Sequence, residues 1–310
     1  MRRLDNAALN RLAATASLAT AIILTLAKLL AAILSDSLAM LASMIDSLAD
    51  IAGSAITFLA VRISQQPPDR AHRYGHGKAE SLSALAQASL VMGSALFVLI
   101  GAAERLVTPR PIEPGAFPLV VLVGAMAVTI ALVTLQRWVI RRTGSAAIAA
   151  DRLHYTADLA TNLLVLLTLV ATVRLEVFWL DPLAAALVAL YLAWHALVIG
   201  REAVDTLMDR ELGPEERQRI VDLVRAHGDV ADCHDLRTRR AGNTVFIELH
   251  IELDPQMSVR RAHRVTDSLE ATLARAFGEA EVIIHQEPAG LDDDRLDHRI
   301  AETDGGSLDE

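Results

Sequence analysis

Six long apolar runs fill the first two thirds of the chain, at residues 12–34, 38–63, 82–107, 116–140, 146–173 and 178–200. Each can cross the hydrocarbon core of a bilayer as a helix, which takes about 20 residues. The expected fold is therefore an α-helical membrane protein, a six-transmembrane-helix bundle. Polar breaks separate the runs at Ser35-Asp36-Ser37, residues 65–78, residues 109–114, residues 141–145 and Asp181-Pro182. The first run is too long for a signal-peptide core and no clear cleavage site follows it, so it reads as a retained span. Basic residues set the orientation. One side receives Arg2, Arg3, Arg11, Arg62, Arg70, Arg73, Lys78, Arg137, Arg141, Arg142 and Arg201. The other receives Arg105, Arg110 and Arg174. Both termini are thus expected in the cytoplasm, with the protein in the inner membrane.

Composition bears on where the membrane part stops. The chain is 53% hydrophobic, above an ordinary soluble domain, and the excess lies before residue 201. From Gly213 the pattern is that of a small α+β domain in the order αββαβ, with helices on one face of a compact sheet. Helices are expected at 214–227 and 258–277, and strands at 232–240, 244–254 and 280–286. In the middle strand Val245, Ile247, Leu249, Ile251 and Leu253 face a core, while Glu248, His250 and Glu252 face the other way. The expected divisions are 1–208 for the membrane domain, 209–290 for the cytoplasmic domain and 291–310 for a disordered acidic tail. The net charge of -9 excludes a basic nucleic-acid binder. The single cysteine, Cys233, excludes a disulfide framework and a CxxC metal site.

The chemistry lies in ionisable residues inside apolar runs. Asp46 and Asp50 are four apart in the second run, and His154 and Asp158 repeat that spacing in the fifth. On a helix, residues i and i+4 share a face. Burying such groups in a membrane is costly, so two matched pairs on two spans point to a shared four-ligand cage. One imidazole and three carboxylates in a tetrahedral array suit zinc. Metal and protons would compete for that cage, because ligands must lose protons to bind metal. In the loop after the second run, Asp69, His72 and His76 form a plausible clasp, crowded by Arg70, Arg73 and Lys78; a solvated loop fits the same spacing. In the soluble domain His234, His250, His263 and His285 recur together with Glu287. Cys233 adjoins His234, but adjacent strand residues point to opposite faces, so the thiol reads as a packing residue.

The segments Ser43 to Asp50 (SMIDSLAD), His72 to Ser81 (HRYGHGKAES), Leu153 to Asp158 (LHYTAD) and Ile283 to Pro288 (IIHQEP) resemble signatures of the cation diffusion facilitator family, within it the bacterial ferrous-iron and zinc efflux pumps. The resemblance runs over roughly residues 5 to 290. It implies a homodimer of six-helix protomers, each with a metallochaperone-like αββαβ cytoplasmic domain, exchanging zinc for protons by alternating access. It implies a transport site at Asp46, Asp50, His154 and Asp158, a loop site at Asp69, His72 and His76, and a binuclear site at the dimer interface from His234, His250, His263, His285 and Glu287. It further implies an inter-subunit salt bridge between Lys78 and Asp209 and a hydrophobic gate at Leu153. Two positions depart from the pattern: Glu287 stands for aspartate, and Arg70 stands where an acidic residue follows the loop-site aspartate.

Other function classes fit less well. A zinc hydrolase would need His-Glu-x-x-His or a Ser/His/Asp set on the spans, and an ATP-driven pump would need a phosphate loop; the sequence carries none of these. A membrane-bound metal sensor without transport would have no use for a complete intramembrane cage. The expected protein is not an enzyme; its partners are lipid, divalent metal ions, protons and a second copy of itself, with Zn2+ as substrate and as a structural or regulatory ligand.

Overall fold

The computed structural model describes residues 6–35, 38–107, 116–175, 180–278, 280–291, 295–297 and 299–300. Within those ranges the side chains of 31–35, 38–49, 105, 116–121, 165–166, 168–175 and 180–181 lie outside the description. Asp46 is therefore placed on its helix but its side chain is not described. Arg2, Arg3 and Arg110, the side chains of Arg105 and Arg174, and residues 301–310 likewise lie outside the described residues.

Unit one spans Met1–Leu207. Its elements are α1 (Asn6–Ser35), α2 (Leu38–Ser64), α3 (Ala79–Val107), α4 (Ala116–Thr143), α5 (Ala146–Leu175) and α6 (Leu180–Leu207). Each of these helices is 27 to 30 residues long, and they begin and end close to the polar breaks read from the sequence. Among the described residues, four are long and apolar enough to cross a membrane: those at Asn6–Leu30, Ala79–Glu104, Leu122–Thr143 and Pro182–Leu207. The other two, α2 and α5, carry Asp50 and the set Asp151, His154 and Asp158.

Small residues let the helices approach. Ala84, Ala88, Ala95, Ala189, Ala196 and Ala203 are all buried between α3 and α6 or beside them, and Gly200 lies against Ala88. In lipid there is no hydrophobic drive between helices, so close packing of this kind must supply the attraction. The outer surface is the reverse of a soluble protein's: Ile23, Leu26, Phe97, Ile100, Leu187 and Leu197 are exposed, as hydrocarbon-facing positions require.

Unit two spans Met208–Glu310 and holds α7 (Pro214–Arg225), β1 (Asp232–Ala241), β2 (Thr244–Leu253), α8 (Val259–Phe277) and β3 (Ala280–Pro288). Pro214 opens α7, with Glu215 and Glu216 in its first turn and Arg225 in its last, matching the helix dipole at both ends. β1 and β2 form an antiparallel hairpin closed by Gly242-Asn243, and Gly242 takes φ +61°, a conformation glycine adopts without strain. Gly278, at φ +78°, stops α8. β3 then pairs parallel to β2, which requires the crossover that α8 provides. Val245, Ile247, Leu249, Ile251 and Leu253 face inward against Ile220 and Val224 of α7 and Val265, Leu269 and Leu273 of α8. Both helices therefore cover one face of the sheet, and the other face is left to polar residues. Phe246, which broke the alternation, is buried instead beneath the guanidinium of Arg239, 4.3 Å above its ring.

Candidate metal centres

The described residues bring three sets of metal-ligating atoms together, each within 4.8 Å: Asp50, His154 and Asp158; Asp69, His72 and His76; and His234, His250 and Glu287.

The first lies between α2 and α5. His154 Nε2 stands 3.0 Å from Asp50 Oδ1 and 3.6 Å from Asp158 Oδ2. The imidazole is the most enclosed, while Asp158 keeps access to the surface at 38% exposure. Among the described residues, one nitrogen and two carboxylates converge here from two helices. Asp46, one turn before Asp50 on α2, lies outside the described side chains. Leu153, next to His154, packs against the α3–α6 cluster of Val91, Ala95, Leu192 and Ala196.

Two buried carboxylates that the sequence reading passed over support this site. Asp151, one turn before His154 and Tyr155, is fully buried. Its Oδ2 accepts from Ser17 Oγ at 2.6 Å and Gln136 Nε2 at 2.7 Å, and its Oδ1 from Gln87 Nε2 at 3.3 Å. Gln87 also donates to the Gly53 carbonyl and to Thr57, and the Tyr155 hydroxyl meets Ser54 at 2.8 Å. This network ties α1, α2, α3, α4 and α5 around the metal helices. Glu80, at the start of α3, accepts from Ser145, from Ser64 and more loosely from Asn10, joining the ends of α1, α2, α3 and α5. The available sequence signal was the placing of Asp151 and Glu80 within or at the edge of apolar runs; nothing local named their partners.

The loop set is more exposed. Asp69 Oδ1 accepts the backbone N–H groups of Ala71 and His72. Those bonds, with the nearby His72 ring, hold its carboxyl below the usual range. His72 Nδ1 and His76 Nε2 each lie 3.4 Å from that carboxylate. Gly75, at φ +79°, makes the turn between the two histidines.

The third set follows from strand register. His234 pairs with His250 and His250 with His285, so three histidines form one row across the sheet, on the face away from the core. Two residues on, Glu287 lies on the same face. His250 Nδ1 is 2.8 Å, His234 Nε2 3.2 Å and His285 Nε2 3.5 Å from the Glu287 carboxylate. His263 is not brought to this row. It sits on α8, across the sheet, highly exposed and 3.6 Å from Asp267. Cys233 turns toward the core, as strand alternation expects, and burial pushes its thiol up. Lys78 donates to the Leu207 carbonyl and Asp209 lies 3.4 Å from Arg239.

The transmembrane-domain model of cation efflux proteins matches residues 14–208, and the cytoplasmic-domain model of the same proteins matches 212–289. The cation-efflux pump FieF of Shewanella oneidensis is 46% identical over 282 residues, spanning 91% of this chain and 95% of its own length. FieF of Escherichia coli is 42% identical over 284 residues, spanning 90% and 93%. The metal-bound C-terminal domain of the CzcD transporter from Thermotoga maritima is 32% identical, aligning with 26% of this chain and 93% of its own at a TM-score of 0.25.

Proposed function

The chain belongs to the cation efflux family, the cation diffusion facilitators, and is a multi-pass membrane transporter rather than an enzyme; from that premise we propose that it exports divalent transition metal, zinc foremost with cadmium and ferrous iron, in exchange for protons. The observation that carries this reading is the meeting of Asp50, His154 and Asp158 from α2 and α5. On this reading Asp46 supplies the fourth ligand, all six helices span the inner membrane, and both termini are cytoplasmic. An imidazole nitrogen with carboxylate oxygens suits tetrahedral zinc, whereas an all-oxygen cage suits manganese better.

The exchange follows from shared ligands. Metal binds only when the carboxylates and imidazole are unprotonated, so loading releases protons. Protons arriving while the site faces outward displace the metal, and alternating access turns that competition into antiport. Two protons per ion would be electroneutral. Each further proton carries one charge inward, driven by roughly 2.3 kcal/mol per 100 mV. On the same reading Leu153, the residue before His154, gates the site.

Two copies assemble as a homodimer. Lys78 and Asp209 link them, and His263 of α8, which its own sheet keeps from the histidine row, completes the cytoplasmic site across the interface. That site and the loop site hold Zn2+ as structural or regulatory ions rather than cargo. The test is zinc uptake by proteoliposomes under an imposed proton gradient. Wild-type protein should accumulate zinc and Asp50→Ala should not; undiminished uptake by the variant would remove Asp50 from the path.

A further inference from the structure

Beside the histidine row the sheet carries a second one. Asp232 pairs with Glu252 and Glu252 with Glu287, so three carboxylates occupy neighbouring register positions. Like charges placed opposite one another in a sheet repel, a cost that a partner at each can offset. Asp232 has Arg225 at 3.0 Å. Glu287 has the histidines. Glu252, the middle one and only 12% exposed, has Arg295 at 2.7 Å, from the chain beyond the last strand.

Arg295 is held there by more than this contact. Asp235 sits at the irregularity in β1 just after His234, with φ +51°. Its carboxylate accepts the backbone N–H groups of Leu296 at 2.9 Å and Asp297 at 3.0 Å. Asp297 returns the contact by accepting the Asp235 N–H at 2.9 Å. Three hydrogen bonds thus strap residues 295–297 onto the strand that carries His234.

Glu252 in turn faces His234. Its Oε1, the oxygen that Arg295 grips, is 3.6 Å from His234 Nδ1, while His234 Nε2 points toward Glu287. One ring nitrogen addresses the cluster and the other addresses Glu252. Histidines that bind metal commonly donate their second ring N–H to a carboxylate, which fixes tautomer and orientation. The separation exceeds hydrogen-bond length by about half an ångström, and orientation of His234 by Glu252 requires it to close when metal binds.

We propose that Glu252 is a positioning residue of the cytoplasmic metal cluster, orienting His234 from outside the ligand set, and that the strap of Arg295 to Asp297 holds Glu252 in that place. The inference rests on reading His234, His250 and Glu287 as a metal site. It makes the segment after β3 a determinant of that site's affinity: without Arg295, repulsion from Asp232 and Glu287 turns Glu252 away from His234.

The experiment is zinc titration of the full-length chain carrying Asp50→Ala, His154→Ala and His72→Ala, which leaves the cytoplasmic cluster as the binding site under test. In that background Glu252→Ala should weaken zinc binding by roughly 10- to 100-fold, the usual cost of losing an outer partner. Glu252→Gln, which keeps an acceptor for His234, should recover part of the loss. Arg295→Leu and truncation after Gly290 should weaken binding in the same direction. The ring-nitrogen NMR signals of His234 should report a protonated Nδ1 and a zinc-bound Nε2, and lose that single tautomer in Glu252→Ala. Unchanged affinity in Glu252→Ala overturns the proposal, as does tighter binding in Arg295→Leu, which would mean that the arginine opposes the metal. If His250→Ala in the same background leaves zinc binding intact, the metal-site reading itself has failed, a result distinct from the other two.

Discussion

Replacing Asp151 by asparagine tests whether the buried network around the metal helices is what holds them together. The substitution keeps shape and removes charge. Asp151 Oδ2 accepts from Ser17 at 2.6 Å and from Gln136 at 2.7 Å; with the carboxyl ionised, both are bonds to a charged acceptor. Such bonds contribute about 1.5–3 kcal/mol net against about 0.5–1.5 for neutral ones. Asparagine can keep its oxygen on that side, so the two bonds weaken by about 1 kcal/mol each. Its amide nitrogen then faces Gln87 Nε2, which stood 3.3 Å from Oδ1. Turning Gln87 over would relieve that clash by offering its Oε1, but would break its bond to the Gly53 carbonyl, which cannot donate, and leave Thr57 to reverse its role from acceptor to donor. The total loss should be about 2–3 kcal/mol, or roughly 30- to 150-fold in the folding equilibrium. Unfolding of the purified protein in mixed micelles by increasing SDS reads this directly. An equally or more stable variant would refute the reasoning, because it would mean that the cost of burying the charge outweighs its hydrogen bonds. Lost transport at full stability would refute it too, since Asp151 would then act chemically and not as a joint.

Three further outcomes are expected. Glu80→Ala removes the acceptor shared by Ser145, Ser64 and Asn10 and should cost about 1–3 kcal/mol in the same unfolding assay; Ser64 keeps its bond to the Val61 carbonyl, so the lower half of that range is favoured. Ile247→Ala, at a position with no exposure in the sheet core, should destabilise the cytoplasmic domain by about 2–5 kcal/mol, seen as faster amide exchange along β2. His285→Ala removes the most exposed histidine of its row and should lower the zinc stoichiometry of the cytoplasmic site while sparing most uptake by proteoliposomes; equal loss of both would make that site central to transport.

Much of this protein is written along its length. Periodicity and run length located the helices α1 to α6 and the αββαβ order, because a helix or strand is set by residues close in sequence. The four-residue spacings put Asp50 on one helix face and His154 with Asp158 on another, and the alternation in β2 separated Ile247 and Leu249 from His250 and Glu252. These are local geometric facts, fixed by 3.6 residues per turn and by two-residue pleating.

What depends on pairing lies beyond local pattern: along the sequence the histidine set is grouped by recurrence and by the family resemblance, not by register. That His234, His250 and His285 share one row is a matter of register, decided by the hairpin turn, the irregularity after His234 and the α8 crossover together. Asp151 and Glu80 drew no reading from the sequence; packing brings Ser17, Gln136 and Ser145 to them from more distant parts of the chain. Within the stretch after Gly290, read from composition as unstructured, Leu296 and Asp297 meet the carboxylate that Asp235 presents at the irregularity in β1, and Arg295 meets Glu252. Composition and periodicity decide which surfaces must be buried; which buried polar groups meet is decided by the long-range packing that removes them from water, and a linear pattern carries no measure of that.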